Sequence, residues 1–181
     1  MLIQNWRKIL VFGLLVTIAW GCRFYFDTTT DQQYTVQKQE TSRERGRNYV
    51  FTICAGCHMD FKTHRFTGKS LNDLPKIAGH LYSSNLTHSV QYGRPDKYTD
   101  AELFYLLKTG ISKNGRFMPY MMKPMMADED INDMIIFLRS DDPSLAAEEV
   151  SAGKTKINLL GKAGIRFLMG PQSYNKGVPR A

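Results

Sequence analysis

The stretch Cys54-Ala55-Gly56-Cys57-His58 decides how this 181-residue chain is interpreted. C-x-x-C-H is the spacing at which a c-type haem is attached. Two thiols three residues apart at a helix end can each form a thioether with one haem vinyl group, and the histidine after them is carried under the iron as its proximal ligand. The motif therefore predicts one covalently bound haem c, held by Cys54 and Cys57, with His58 as an iron ligand.

Three other interpretations of the motif are a redox-active cysteine pair, half of a zinc site and a chance pattern. A zinc site needs a second Cys/His pair at ligand spacing. The remaining histidines do not supply one: His64, His80 and His88. A thioredoxin-like pair would accompany a βαβ pattern, and the sequence shows no such pattern.

The net charge of +7 is carried by the two ends of the chain. Residues 1–21 hold two basic residues and residues 151–181 hold six, with no acidic residue in either segment. The segment between them is nearly neutral, with 16 basic and 17 acidic residues. A nucleic-acid-binding protein would show a clustered basic face with a recognition motif. Neither is visible, so we expect no nucleic-acid partner.

Residues 1–21 are interpreted as a lipoprotein-type signal peptide or a membrane anchor. Arg7 and Lys8 precede an apolar run over residues 9–20, which is short for a bilayer span. The run ends at Ala19-Trp20-Gly21-Cys22, which resembles a bacterial lipoprotein cleavage box with Cys22 as the lipidated residue. The alternative is an uncleaved helix anchored by aromatic residues. Both predict a periplasmic or other extracytoplasmic domain on a membrane, joined through a flexible polar spacer over 22–40.

Residues 41–143 carry the signals of a helical domain. The patterns Thr41-Ser42-Arg43-Glu44 and Thr99-Asp100-Ala101-Glu102 are capping boxes, which mark helix starts. We expect a first helix running into Cys54, a second over 100–109 that stops at Gly110, and a third from Asp128 to about Ser140. The third helix has one apolar stripe, which predicts its buried face: Ile131, Met134, Ile135 and Leu138.

The segment 41–143 resembles the monohaem class I c-type cytochromes, and among them the cytochromes that accompany bacterial membrane-bound dehydrogenases. Besides the haem motif, the resemblance rests on Gly46, eight residues before Cys54, and on the stretches Tyr82-Ser83-Ser84-Asn85-Leu86-Thr87 and 110–116. It implies an all-α fold, in which helices pack around one covalently bound haem, with extended N- and C-terminal segments. It also implies that Gly46 lets the last core helix cross the first at short range, with Phe137-Leu138 at the crossing.

The resemblance implies two further haem contacts. Leu74-Pro75-Lys76-Ile77-Ala78-Gly79 is similar to a family loop whose proline carbonyl accepts a hydrogen bond from the proximal histidine, which assigns Pro75 to that role. Met118-Pro119-Tyr120 is similar to the family's ligand loop, which makes Met118 the distal iron ligand, with Met121 as the alternative. The other methionines of 118–126 are expected to pack as gap-fillers. A copper(I) site of thioethers is the rival interpretation.

Residues 144–181 are expected to form a basic, extended C-terminal strap with one short helix near 162–168. Their charge would serve an acidic partner or an anionic lipid surface, and the alternative is a solvated tail.

The function implied by the resemblance is electron carriage rather than enzymatic catalysis. Single electrons would pass from an extracytoplasmic or membrane dehydrogenase to a cytochrome or oxidase acceptor, through a His/Met-ligated haem. One alternative is a haem enzyme, or a gas- or peroxide-reactive cytochrome, with a labile sixth ligand. Another is a cytochrome subunit bound permanently to a dehydrogenase.

Overall fold

The computed structural model describes residues 10–14 and 42–169. Residues 10–14 are helical and exposed. The predictions of a signal peptide or anchor over 1–21 concern a segment of which only these five residues are described. The predicted lipidation of Cys22 and the spacer over 22–40 lie outside the described residues. In the part of the chain that is described, no helix combines the length and apolar character needed to cross a membrane.

The segment that contains the C-x-x-C-H motif is one helical run with a change of pitch inside it. Helix α1 spans Arg43–Tyr49, a π-helical turn spans Val50–Cys54, and the short helix α2 spans Ala55–His58. The run therefore reaches Cys54, as the sequence predicted. A π-turn widens the helix by one residue per turn and is often found at functional positions. Here it changes the direction in which the residues from Cys54 onward project.

Helix α3 spans Asp100–Thr109 and confirms the predicted bounds. Thr99 and Glu102 form the reciprocal capping box, in which each side chain accepts a hydrogen bond from the other residue's backbone N–H. The helix ends at Gly110, whose φ of 75° is a left-handed conformation that glycine adopts without steric cost.

Helix α4 spans Asp128–Leu138 and supplies the centre of the core. The four residues of its predicted stripe are all buried. It crosses α1 at Gly46, where a Cβ atom would lie 1.9 Å from the Asp133 carbonyl oxygen. The backbones of the two helices are thus in contact, which confirms the prediction for Gly46. Phe51 and Phe137 meet edge to face beside the crossing, with ring centroids 6.1 Å apart.

The start of α1 is capped differently from the prediction. Ser42 is the N-cap, and its hydroxyl accepts from Arg45 N–H at 3.2 Å. A capping box would return an acid from α1 itself to the N-cap amide. Instead the Ser42 amide donates to Asp133 Oδ1 of α4 at 2.6 Å, and Arg45 Nε donates to Asp133 Oδ2 at 2.7 Å. A fully buried carboxylate from a distant helix therefore completes the cap.

The apolar core lies between α1, α3 and α4 and extends to loops on either side. Its fully or nearly buried members come from the π-turn, from α2, α3 and α4, and from the segments between α2 and α3 and after α4: Val50, Ala55, Met59, Phe66, Leu86, Leu103, Phe104, Leu107, Ile131, Met134, Ile135, Phe137, Leu138 and Leu145. Cys54 and Met121 are among the partly buried residues that pack against this core.

A small antiparallel sheet, absent from the sequence predictions, fastens the C-terminal segment to the body. Strand β1 (Ser70–Leu71) pairs with β2 (Gly79–Tyr82), and β2 pairs with β3 (Lys156–Ile157). The register sets Leu71 opposite Leu81 and Gly79 opposite Ile157. Helix α5 (Leu159–Leu168) follows β3 and begins three residues before the predicted short helix.

Candidate functional site

The two cysteines and the histidine of the motif lie together at the end of the first helical run. Cys54 ends the π-turn, and Cys57 and His58 end α2. Both cysteines are free thiols with partial exposure, whereas His58 is buried. The chain leaves the helix at Met59, which is extended and buried. The three predicted site residues are therefore clustered at the border between the core and the surface.

The imidazole of His58 is held in one tautomer. Its Nδ1 lies 2.8 Å from the carbonyl oxygen of Ser84. A carbonyl can only accept, so Nδ1 carries the hydrogen and Nε2 keeps its lone pair. Burial lowers the pKa of His58, the hydrogen bond to Ser84 offsets part of that effect, and the positive charges of Lys123 and Lys69 add to the lowering. His58 is therefore neutral at pH 7 and can act as a ligand through Nε2.

The structure contradicts the prediction that His58 donates a hydrogen bond to the Pro75 carbonyl. Pro75 is exposed and precedes a 3-10 turn over Lys76–Ala78. Its carbonyl accepts from the Ala78 amide of that turn at 2.7 Å. The stretch 74–79 thus closes its own turn and leads into β2, and Ser84 holds the position that the resemblance assigned to the proline.

Residues 82–87 form a wall that contacts the C-x-x-C-H motif. Ser83 Oγ donates to the Cys57 carbonyl at 2.6 Å and accepts from the Lys69 amide at 2.8 Å. The Gly68 amide donates to the His58 carbonyl at 2.8 Å. Gly68 has a φ of 75°, and a Cβ there would lie 2.5 Å from the Ser83 carbonyl oxygen. These contacts satisfy carbonyls at the end of α2 that have no partner within the helix.

The same wall is joined to the C-terminal strap through Asn85. Its Oδ1 accepts from the amide and the hydroxyl of Thr87, at 2.8 and 2.7 Å. Its Nδ2 donates to the carbonyls of Glu148 and Val150, at 2.9 and 3.0 Å. Asn85 and Thr87 are both buried, so these bonds are shielded from water. The strap therefore supports, through Asn85, the segment that orients His58.

Cys54 does not have the environment of the attacking thiol in a thiol–disulfide exchange pair. Burial raises the pKa of the Cys54 thiol to about 12, an effect that Lys123 reduces and Cys57 increases. Exchange requires a thiolate, which is favoured by a lowered pKa. Among residues 10–14 and 42–169, no three or more His, Cys, Asp or Glu side chains are grouped so that they could hold a metal ion. Cys54, Cys57 and His58 themselves therefore do not form such a group.

The methionine loop, residues 118–126, is fastened to the end of α3 at three points. The Met118 amide donates to the Gly110 carbonyl at 2.6 Å, and the Lys123 amide donates to the Leu107 carbonyl at 2.5 Å. Lys108 Nζ donates to the Met126 carbonyl at 2.6 Å and lies 3.0 Å from Asp128 Oδ1. The Lys108 side chain is fully buried. A buried ammonium is costly unless it is paired, so this lysine is committed to holding the loop.

The methionine loop lies on the same side of the core as the C-x-x-C-H motif. Lys123 is close enough to lower the pKa of both Cys54 and His58. Met121 and Met126 pack against the core residues. Met118 is half-buried, precedes a 3-10 turn over Pro119–Met121 and has its backbone bonded to Gly110. Met118 and Met121 therefore both remain candidates for the distal ligand.

Three groups that support the candidate site were not predicted from the sequence. They are the Ser84 carbonyl, the Asn85 side chain and the Lys108 ammonium. The stretch 82–87 was singled out by resemblance, but no role followed from it. A lysine among the apolar residues of α3 was the one direct signal, since buried lysines are rare unless paired. Neither a protein-family model nor a curated protein matches this chain.

Proposed function

We propose that this chain is a monohaem class I c-type cytochrome that carries single electrons. In this proposal it accepts them from an extracytoplasmic or membrane dehydrogenase and delivers them to a downstream cytochrome or oxidase. A cytochrome of this kind binds no substrate at the metal, so the protein's task is to hold the group and keep its iron six-coordinate.

The observation that carries the proposal is the state of His58. Directly after two free cysteines at C-x-x-C spacing stands a buried, neutral imidazole whose Nδ1–H is bonded to a backbone carbonyl. Metal-bound histidines have this arrangement, because the hydrogen bond orients the ring and makes Nε2 a better donor. The donor set of two thiols, one imidazole nitrogen and nearby thioethers fits a covalently attached haem.

Different residues of the chain would make the different contacts that hold the haem. Cys54 and Cys57 would form the two thioethers, and His58 would supply the proximal ligand. Met118, with Met121 as the alternative, would supply the distal thioether, a soft ligand that raises the reduction potential. When bound, the haem would supply a one-electron iron couple. The core residues and the loop would keep water and other ligands from the iron.

Covalent attachment is the first test. We expect chain produced by export together with the haem-attachment machinery to keep its colour on the polypeptide after acid–acetone extraction. The double variant Cys54→Ser/Cys57→Ser should lose all colour under the same treatment, because a non-covalent haem is extracted. Extraction of all colour from the unmodified chain would contradict the proposal.

The distal ligand is tested by comparing Met118→Ala with Met121→Ala. The variant that lacks the true ligand should lose the weak absorption band of ferric methionine-ligated haem and should have a lower reduction potential. The other variant should keep the band and an unchanged potential. A high-spin spectrum in the unmodified protein would favour the alternative with a labile sixth site. Assignment to Met118 fails if Met118→Ala keeps the band and Met121→Ala loses it.

The membrane tether and the partners need native material. Mass spectrometry of membrane-extracted protein should find residues 1–21 absent and acyl chains on Cys22, and an intact Met1 would instead indicate the uncleaved anchor. A pull-down of the native protein would identify donor and acceptor. Co-purification with a dehydrogenase at high salt would indicate a permanent subunit.

A further inference from the structure

Helix α5 presents large apolar side chains to the outside of the protein. Leu159 is 70% exposed, Leu160 is 63% exposed and Phe167 is 86% exposed. At 100° per residue these three and Ala163, which is also exposed, fall within one arc of about 100° on the helix surface. Scattered exposed leucines are ordinary, but a continuous apolar stripe on a helix is not.

The opposite arc of α5 is attached to the body, so the apolar stripe does not result from an undocked helix. Gly161 is buried, and a Cβ there would lie 2.5 Å from the Ala78 carbonyl oxygen. Asn158 caps the helix by accepting from the Gly161 amide at 2.9 Å, and its Nδ2 donates to the Ile77 carbonyl at 2.6 Å. At the edge of the stripe, the Arg166 guanidinium lies 5.7 Å from the centroid of the Phe117 ring, which is a second contact with the body. On that side of the helix the first turn is docked through Gly161, whereas Leu168, near the end of the helix, is 79% exposed. The stripe therefore faces away from the docked first turn.

The surroundings of the stripe are basic. Lys154, Lys156 and Lys162 are exposed, and residues 151–181 contain no acidic residue. Ile77, which is exposed and bonded through its carbonyl to the helix cap, enlarges the apolar area, and its neighbour Lys76 enlarges the basic one. The surface thus combines projecting apolar side chains with exposed lysines.

We propose that α5 is a membrane-surface helix that binds a bilayer containing anionic lipid. Its stripe would enter the boundary between headgroups and acyl chains, and its lysines would lie among the anionic headgroups. A bilayer of this kind has an apolar interior beneath anionic headgroups. The apolar stripe would match the interior, and the lysines would match the headgroups. The sequence of residues 1–21 independently predicts that the chain is delivered to a membrane. The helix would then be a second contact that sets the orientation of the domain.

Other occupants match this surface less well. A second copy of the chain would set lysines against lysines. Residues 170–181 are polar and basic, with no acidic residue to pair with the lysines. An acidic protein would complement the charge, but the projecting stripe would need a matching apolar groove as well.

The test uses cysteine footprinting of the full chain with vesicles. Leu160→Cys and Phe167→Cys report on the stripe, and Val90→Cys is the matched control, because Val90 is 89% exposed and lies outside α5. The readout is the rate of reaction with a membrane-impermeant maleimide, resolved by peptide mass spectrometry. With vesicles of phosphatidylcholine and phosphatidylglycerol, we expect labelling of both stripe positions to slow by roughly tenfold. Phosphatidylcholine alone should slow it less, and Val90→Cys should not change.

Each other outcome would overturn the proposal. Equal labelling with and without vesicles would mean that the stripe is solvated. Protection without lipid would mean that another part of the chain covers the stripe, or a second copy if the protection rises with protein concentration. Protection only on adding an acidic membrane protein would assign the surface to a protein partner. Hydrogen exchange of residues 159–168 in the unmodified chain should slow with the same anionic vesicles, which tests the proposal even if a variant fails to fold.

Discussion

The helix crossing at Gly46 and the methionine loop are held in place by different kinds of contact. At the crossing, the backbones of α1 and α4 touch, with space for a hydrogen atom but none for a methyl group. The loop, in contrast, is fastened to α3 by three hydrogen bonds, from Met118, Lys123 and Lys108. Close packing resists any change of volume, whereas hydrogen bonds can be lost one at a time. The loop can therefore adjust its methionines while the crossing stays fixed.

The largest effect is expected from Gly46→Ala, which breaks the crossing. The added Cβ would lie 1.9 Å from the Asp133 carbonyl oxygen, so the helices must separate. We expect a loss of about 3 kcal/mol in the free energy of unfolding, at the upper end for overpacking. Urea denaturation measures it.

Gly56→Ala is the matched control within the same helical run. A Cβ at Gly56 meets no atom within 4 Å. We expect no loss, and a gain of up to about 1 kcal/mol from the better helix propensity of alanine. Equal losses for the two variants would show that the close approach at Gly46 is not what makes that position sensitive.

Lys108→Met loosens the loop without filling or emptying the core. The variant removes the buried ammonium and its bonds to the Met126 carbonyl and to Asp128. We expect a loss of roughly 2 kcal/mol, in the range for hydrogen bonds of charged groups. Hydrogen exchange over residues 118–126 should quicken more than exchange at the α1–α4 crossing. Lys62→Met, at an exposed position, should change the stability by no more than about 0.5 kcal/mol. Equal quickening at both regions would remove the distinction between them.

Ser83→Ala tests the wall behind His58, which resembles the loop in being held by hydrogen bonds. It removes the donor to the Cys57 carbonyl and the acceptor for the Lys69 amide. We expect a loss of about 1 kcal/mol in the free energy of unfolding, measured in urea. Ser70→Ala, at an exposed position in β1, serves as the comparison and should have little effect. The interpretation fails if Ser70→Ala costs as much.

The smallest effect is expected at His88, which joins the segment after the wall to the residues after α4. Its Nε2 lies 2.8 Å from the Ser140 carbonyl and its Nδ1 lies 3.0 Å from Asp96 Oδ2. Burial lowers the pKa of His88, but the Ser140 carbonyl and the Asp96 carboxylate together raise it above its ordinary 6.5. Because the folded pKa is the higher one, protonation stabilises the protein fully below pH 6.5, and this contribution is lost as the pH rises through the raised value.

The stability difference between the unmodified chain and His88→Gln should therefore shrink with rising pH. Denaturation curves recorded from pH 6.5 upward through the raised pKa of His88 measure this stability difference. The contributions of the other histidines cancel, because both proteins contain them. A difference that is independent of pH would mean that the pKa of His88 is the same in the folded and the unfolded protein.

Local patterns predicted the bounds of α3 and the buried face of α4 correctly. The bounds of α3 followed from Thr99, Glu102 and Gly110, and the buried face of α4 followed from its apolar spacing. These features depend on residues within one or two turns of each other, so the sequence contains them directly. The role of Gly46 followed from the resemblance, in which a glycine at this offset from the first cysteine permits the crossing.

The tertiary structure alone decided which distant groups meet. A carbonyl stands at every residue, so nothing in the letters distinguishes Ser84 from Pro75 as the partner of His58. Only the path of the chain brings one of them within 2.8 Å. Asp133 at the cap of α1 lies 91 residues from Ser42, and the strap bonds to Asn85 from more than 60 residues away. The C-x-x-C-H spacing named the candidate residues of the site, and packing selected the backbone carbonyl that orients His58.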